Sequence, residues 1–437
     1  MTEESLQNVF LSFSKVAISY MQSHLPDGKL QKTKITETIF SKDGFHEEER
    51  EEYGYYQGLH SLWMPELEQY EETKKYIEAV NSKVSCKIQI HELIAPLLDA
   101  IHIKLSFSLS QDFLLERLKA HLDNWMNNEK ISFHYIPLIN FSSYDDIKFT
   151  ELISIQSIPN DLKSKFNILF RSSPNEFSLT TWDIWASEFM ITSIEKRKIG
   201  QKTREGNDAL LPLMTALRVH QSGNVGTKSR MVQRFEIIPA IMGPSGGPVG
   251  EYYTHRWGEK YLLTEKYSDK IIETNDLLSE ILSTDKKNSI RTPLNRFHLA
   301  YTRNEIEDVI IDYSIVLESL LLSKERDELS YRMSIRAAWL LKDIHKPLET
   351  LLMIKAFYEM RSGIVHNGFT ADDFLEKKSI KNKLIKICSE LSKKSIKSFI
   401  DSLVKSILLT YIYNLKEYDS VQQINEMIDA EIVNWNS

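Results

Sequence analysis

The chain has 437 residues, 42% of them hydrophobic and 26% charged, which is the composition of an ordinary globular chain and excludes both a miniprotein and wholesale disorder. At about 100–200 residues per domain it holds two to four domains. Its 54 basic and 61 acidic side chains leave a net charge of −7, and only 15 Gly and 12 Pro argue for a helix-rich fold without long linkers. Cys86 and Cys388 stand far apart without cysteine neighbours, which excludes a disulfide framework or a cysteine zinc knuckle and fits a reducing cytoplasm. The opening MTEES is acidic where an export signal is basic, and no apolar run reaches about 18 residues, so neither export nor a membrane span is expected.

In chain order, Leu6, Val9, Phe10, Phe13 and Val16 recur at helical spacing within residues 3–22. Residues 47–72 carry nine Glu and one Arg, net −8, and read as a solvated helix face or loop. A helical stretch follows from Glu92 to Trp125. The runs ISFHYIPLINF and IKFTELISIQSI, then 188–198 and 231–242, are rich in β-branched and aromatic residues and read as strands. A helix over 209–220 separates the last two and stops at Ser222 and Gly223. Residues 1–285 thus read as an α+β region, and the polar, aperiodic LSTDKKNSIRTP at 282–293 reads as a domain boundary.

Residues 294–437 read as an all-α helical bundle. Apolar residues at 306, 309, 310, 313, 317 and 320 form one stripe. Pro347 opens another helix, with Leu351, Ile354, Tyr358 and Val365 on one face and a stop at Asn367 and Gly368. A long lysine-rich helix starts at Ile380 and runs, with or without a break, to about Tyr413. Residues 377–405 hold nine Lys, one Glu and one Asp, net +7.

Arg361 stands where the stripe 351, 354, 358, 365 calls for an apolar residue. A buried lone guanidinium is unfavourable, so it either pairs with a bundle carboxylate such as Asp308 or Glu318 or faces a cleft or subunit junction. His366 follows five residues on, about 140° around an ideal helix, so the two side chains converge only if the last turn unwinds at Gly363 or a second copy supplies the other half.

The run RSGIVHNG, the preceding YSIVLESLLL and the intervening ELSYRMSIRAAWLL resemble successive elements of a HEPN domain, in particular those of the ApeA-like group of bacterial defence proteins. The likeness covers residues 294–415, and Arg-x4-His followed by Asn-Gly is its most specific part. Weaker likeness lies upstream in IPLINF, IKFTELISIQSI and LMTALRVHQSGNV.

The resemblance implies a metal-independent endoribonuclease of anti-phage defence or toxin type, without cofactor, in which two motifs meet across a homodimer cleft and cut RNA such as tRNA. Such cleavage needs proton transfer at the ribose 2′-OH and at the leaving 5′-oxygen, with stabilisation of the phosphorane. Two histidines, one per protomer, suit the first task and guanidinium groups the second. His366 is then the general acid or base and Arg361 the transition-state clamp. Ser362 departs from the family's Asn, Asp or His but can donate to phosphate. Gly368 replaces a tyrosine found in toxins that a modifying antitoxin neutralises, so that route is not implied.

Glu318 and Asp308 match an acidic pattern that holds Arg361 or braces the fold. Lys377, Lys378, Lys381, Lys383, Lys386, Lys393 and Lys394 form either a strip neutralising RNA phosphates or a plain solvated face. The N-terminal region is expected to sense a phage-derived or cellular trigger. The alternative function is a non-catalytic HEPN module for dimerisation or nucleic-acid binding.

Other motifs carry little. HELIA at 91–95 has Ala95 where a zinc-protease helix has its second histidine. GPSGGPVG at 243–250 lacks a Gly-Lys-Ser/Thr ending, and two prolines remove donors that a phosphate would need. His255, Arg256 and Trp257, and the pair Trp182 and Trp185, read as packing residues.

Overall fold

The computed structural model describes residues 3–23, 32–41, 44–53, 66–84, 93–104, 107–127, 129–158, 187–198, 210–227, 231–234, 259–322, 328–386 and 392–434. The segment 243–250, His255, Arg256 and Trp257, and Trp182 and Trp185 lie outside these residues. The described chain runs α1 (Glu3–Ser23), β1 (Lys32–Ser41), β2 (Gly44–Tyr53), α2 (Glu71–Asn81), α3 (Ala95–Lys104), α4 (Gln111–Met126), β3 (Glu129–Ile139), β4 (Phe141–Ser143), β5 (Ile147–Lys148), β6 (Ile153–Ser157) and β7 (Phe189–Lys198). It continues through α5 (Leu210–His220), β8 (Gly226–Thr227), β9 (Met231–Arg234), β10 (Tyr261–Leu263), α6 (Glu265–Ser283), α7 (Lys287–Thr302), α8 (Ile306–Leu321), α9 (Leu329–Leu340), α10 (Pro347–Asn367), α11 (Ala371–Glu376), α12 (Lys378–Leu384), α13 (Lys393–Asn414) and α14 (Val421–Asn434). Most of it is helical, with a small sheet region in the middle and helices throughout the C-terminal part.

The chain separates into two compact units, of which the first comprises Met1–Pro137, Asp145–Thr203 and Ser229–Pro248. Here α1, α2, α3 and α4 share a core containing Leu6, Phe10, Phe13, Tyr76, Leu97, Leu118 and Trp125, and Phe13 stacks on Tyr76 at 4.7 Å. Leu6, Phe10 and Phe13 are buried as their spacing predicts, whereas Val9 only packs at the margin. The expected single helix over 92–125 is two, because Ser110 caps α4 by accepting from the Phe113 amide. The acidic run begins as strand β2, not as helix or loop: β1 and β2 form an antiparallel ribbon whose register closes at Ser41 and Gly44. Ladder pairing there outweighs the weak β-propensity of glutamate.

The sheet of this unit is antiparallel, in the order β5-β6-β7-β3 with β9 also on β3. The run IKFTELISIQSI is therefore a hairpin of two short strands, turned where Thr150 Oγ1 accepts from the amides of Leu152 and Ile153.

The second unit comprises Leu138–Tyr144, Arg204–Lys228 and Val249–Ser437. It holds β4 and β10 as a parallel pair, together with α5 and all helices from α6 onward. The stretch 282–293 is not a loop: α6 ends at Ser283, α7 begins at Lys287, and Pro293 sits inside α7. Burial of Ile290, Leu294 and Phe297 on α7 outweighs the missing proline N–H. Within the unit α7 packs on α8, α9 on α10, α8 on α10 and α13, and α10 on α12. The lysine-rich stretch is two helices, with α13 opened by a capping box at Ser392. Among the described residues no helix is long and apolar enough to cross a membrane.

Candidate active site

Helix α10 carries both members of the Arg-x4-His pair. Pro347 at its start supplies a fixed φ where the missing N–H is harmless. The buried face is Thr350, Met353, Ile354, Ala356, Phe357, Met360 and Gly363, so the expected stripe 351, 354, 358, 365 is displaced by part of a turn. Val365 is half exposed, and Arg361 stands on the flank of the core rather than in it. The buried centre follows the bulk of Met353, Phe357 and Met360, which lie off that stripe.

The Arg361 side chain is 29% exposed and lies with Nε 3.6 Å from Glu318 Oε1, itself 28% exposed. This is an ion pair at the edge of water, neither a sealed core pair nor a free cation. Of the two roles open to Glu318 on α8, holding Arg361 or bracing the fold, the ion pair is the first. Asp308 does not hold Arg361: it is exposed, and its charge acts on Arg303, which donates to buried Asp312 at 2.7 Å. The reason is distance along α8, since ten residues separate Asp308 from Glu318, about 15 Å of rise. Helices α8 and α10 run antiparallel, because Glu307 near the start of α8 accepts from the Ala371 amide beyond the end of α10.

His366 is exposed on the last turn of α10, and Ser362 is half-buried. The helix closes on Gly368, whose φ of 65° is the left-handed conformation that a side chain resists. The Phe369 amide bonds to Gly363 O and the Gly368 amide to Ile364 O, so the chain stays helical through Gly363. Gly363 admits no side chain: a Cβ there would stand 2.8 Å from the Phe369 ring and 2.9 Å from the Phe374 ring. The turn does not unwind at Gly363, and Arg361 and His366 of one chain remain about 140° apart around the helix and about 7.5 Å apart along it.

The lysines divide into two sets. Lys377 lies 3.2 Å from Glu359 Oε1, Lys383 lies 2.5 Å from Glu359 Oε2, and the Ser379 hydroxyl also donates to Glu359. Burial alone would raise the Glu359 carboxyl, but the hydrogen bonds from Lys383, Ser379 and Lys377 outweigh it and pull it down to about 2. Lys393 pairs with Asp372 at 2.8 Å. Lys378, Lys381, Lys386 and Lys394 are exposed.

A buried polar network in the same unit has no counterpart among the residues selected from sequence. Arg218 on α5 donates from Nε and Nη2 to Val225 O at 3.1 and 3.0 Å and from Nη1 to His298 Nδ1 at 2.8 Å, and its guanidinium lies 4.2 Å from the Tyr301 ring centroid. An arginine can only donate, so His298 is the neutral tautomer protonated at Nε2, which donates to Thr215 Oγ1 at 2.8 Å. Burial, then the Arg218 charge, hold the His298 pKa well below its ordinary value. Beside it, Lys405 bonds Asp401 at 2.6 Å and Tyr313 donates to Asp401 at 2.5 Å. Burial works against the Lys405 charge, yet neighbouring Tyr301 and Asp401 leave its pKa raised. The available signal was one arginine in LLPLMTALRVH, a helix apolar all round and so buried on every side.

Among the described residues no group of three or more His, Cys, Asp or Glu is placed to hold a metal ion. No protein-family model matches the chain, and no curated protein or solved structure matches it either.

Proposed function

We propose that the C-terminal helical bundle is a metal-independent, HEPN-type endoribonuclease acting in defence or as a toxin, with a composite site built from two copies of α10. The observation that carries this reading is the pairing of opposites on one helix end: a water-edge arginine held by Glu318, and an exposed histidine facing about 140° away. One copy cannot close both groups on one phosphate, so the chemistry calls for a twofold-related partner. The ribose 2′-oxygen attacks phosphorus and loses its proton to one His366, while the other His366 protonates the departing 5′-oxygen. The products are a 2′,3′-cyclic phosphate and a 5′-hydroxyl. Arg361 from each copy faces the charge that builds on the phosphorane oxygens.

The test is incubation of the purified full chain with total RNA in excess EDTA, beside Arg361→Ala and His366→Ala, with mapping of 5′-hydroxyl ends and growth of cells expressing each protein. Wild type cutting and inhibiting growth while both variants do neither is the expected result. Equal cutting by the variants refutes the assignment. A second reading, a bundle that binds nucleic acid or dimerises without cleaving it, draws on the Glu318 pairing that already neutralises Arg361. It predicts that both variants leave RNA intact, as wild type does, and retain its growth phenotype.

A further inference from the structure

We infer that Glu359 is an internal competitor of RNA: its carboxylate occupies a two-lysine anion seat, formed by Lys377 and Lys383 with the Ser379 hydroxyl, which a backbone phosphate would otherwise fill. The inference rests on the proposed RNA-cutting function and concerns which lysines serve it. Ile380 and Leu384 are the buried positions of α12, Lys377 is its N-cap and Lys383 lies half-buried beside that ridge, while Lys378 and Lys381 are exposed. Lys377 and Lys383 reach one carboxylate, one on each oxygen, and the serine hydroxyl donates to the same group. Two ammonium groups and a hydroxyl converging on one planar anion are the donors a phosphate takes.

Glu359 is fixed on α10 two residues before Arg361, so it competes at an effective concentration no solution anion matches. The same contacts that hold its carboxylate ionised keep two of the seven lysines from the substrate. Phosphate neutralisation then falls to the exposed set, Lys378, Lys381, Lys386 and Lys394.

Anisotropy titrations of a fluorescent single-stranded RNA at several salt concentrations test this on the full chain, with wild type, Glu359→Gln, Lys377→Ala/Lys383→Ala and Lys378→Ala/Lys381→Ala. Each freed lysine that meets a phosphate adds about 0.7 to the slope of log K against log salt, so Glu359→Gln is expected to steepen it by about 1.4. It should also bind roughly tenfold tighter at low salt. Removing Lys377 and Lys383 from wild type should change affinity less than about twofold, whereas removing Lys378 and Lys381 should weaken it about tenfold. Should Glu359→Gln loosen α12, the two lysine pairs still decide: an equal or larger loss at Lys377 and Lys383 overturns the inference. So does a folded Glu359→Gln with the wild-type slope. Absence of salt-dependent RNA binding in all four proteins overturns the nucleic-acid reading and this inference together, an outcome distinct from salt-dependent binding with unchanged slope.

Discussion

Replacing Arg218 by Met tests whether the buried network holds the segment 210–227 to the helices of its unit. The change keeps an unbranched apolar stem but removes three donated hydrogen bonds, two to Val225 O and one to His298 Nδ1, and the contact with the Tyr301 ring. Each acceptor left unsatisfied in the interior costs about 1–3 kcal/mol, and the ring contact adds about 2 kcal/mol when desolvated. Relief from burying a cation offsets part of this, so the net loss is about 3 kcal/mol. In urea denaturation followed by circular dichroism, that is a midpoint lowered by about 1–3 M at unchanged slope. The double variant Arg218→Met/His298→Leu should recover about 1 kcal/mol or more relative to additivity, because the orphaned imidazole is then gone. A single-variant loss below about 1 kcal/mol, or strict additivity of the pair, refutes the account of the network.

Three further outcomes follow from the same geometry. Gly363→Ala drives a methyl into the Phe369 and Phe374 rings, so it should lose about 1–3 kcal/mol and shift the turn bearing His366; a variant as stable as wild type contradicts the close approach. Asp312→Asn weakens two charge-assisted bonds, from Arg296 at 3.0 Å and Arg303 at 2.7 Å, and should lower the urea midpoint more than Asp308→Asn does; equal effects contradict the placement of Asp308. Stability should also fall between pH 6.5 and 4. Burial and then Lys270 hold His220 down at about 4, and burial and Arg218 hold His298 well below its ordinary value, so the unfolded chain takes up protons first as pH drops. The stabilisation is present above about pH 6.5 and is lost toward pH 4; a urea midpoint constant from pH 7 to 5 contradicts it.

Much of the bundle was legible because burial imposes a period. The stripe on α8 follows its apolar spacing, with Val309, Ile310, Tyr313, Leu317 and Leu320 buried and Ile306 at the margin, and the stop at Asn367 and Gly368 follows from glycine's freedom at φ 65°. The face of α10 differs from the expected stripe because the bulk of Met353, Phe357 and Met360 outweighs that of Leu351, Tyr358 and Val365. Pro293 was misleading because a proline marks a break only where packing does not override it. Arg361 and His366 stand out only as a motif, and their angular separation depends on Gly363 staying helical, which rests on Phe369 and Phe374 beyond the helix end. The network joins Arg218 to His298 80 positions on, and Tyr301 to Asp401 and Lys405 about 100 positions on, and no local pattern records such pairings.

The composite site is tested most directly by subunit mixing. Wild type and His366→Ala are combined in equal amounts, allowed to exchange, and assayed for RNA cleavage in EDTA against the same total of wild type. A cleft that needs both histidines leaves about a quarter of the activity, because only wild-type pairs cut. Activity staying near half shows that each chain cuts alone, and contradicts the account.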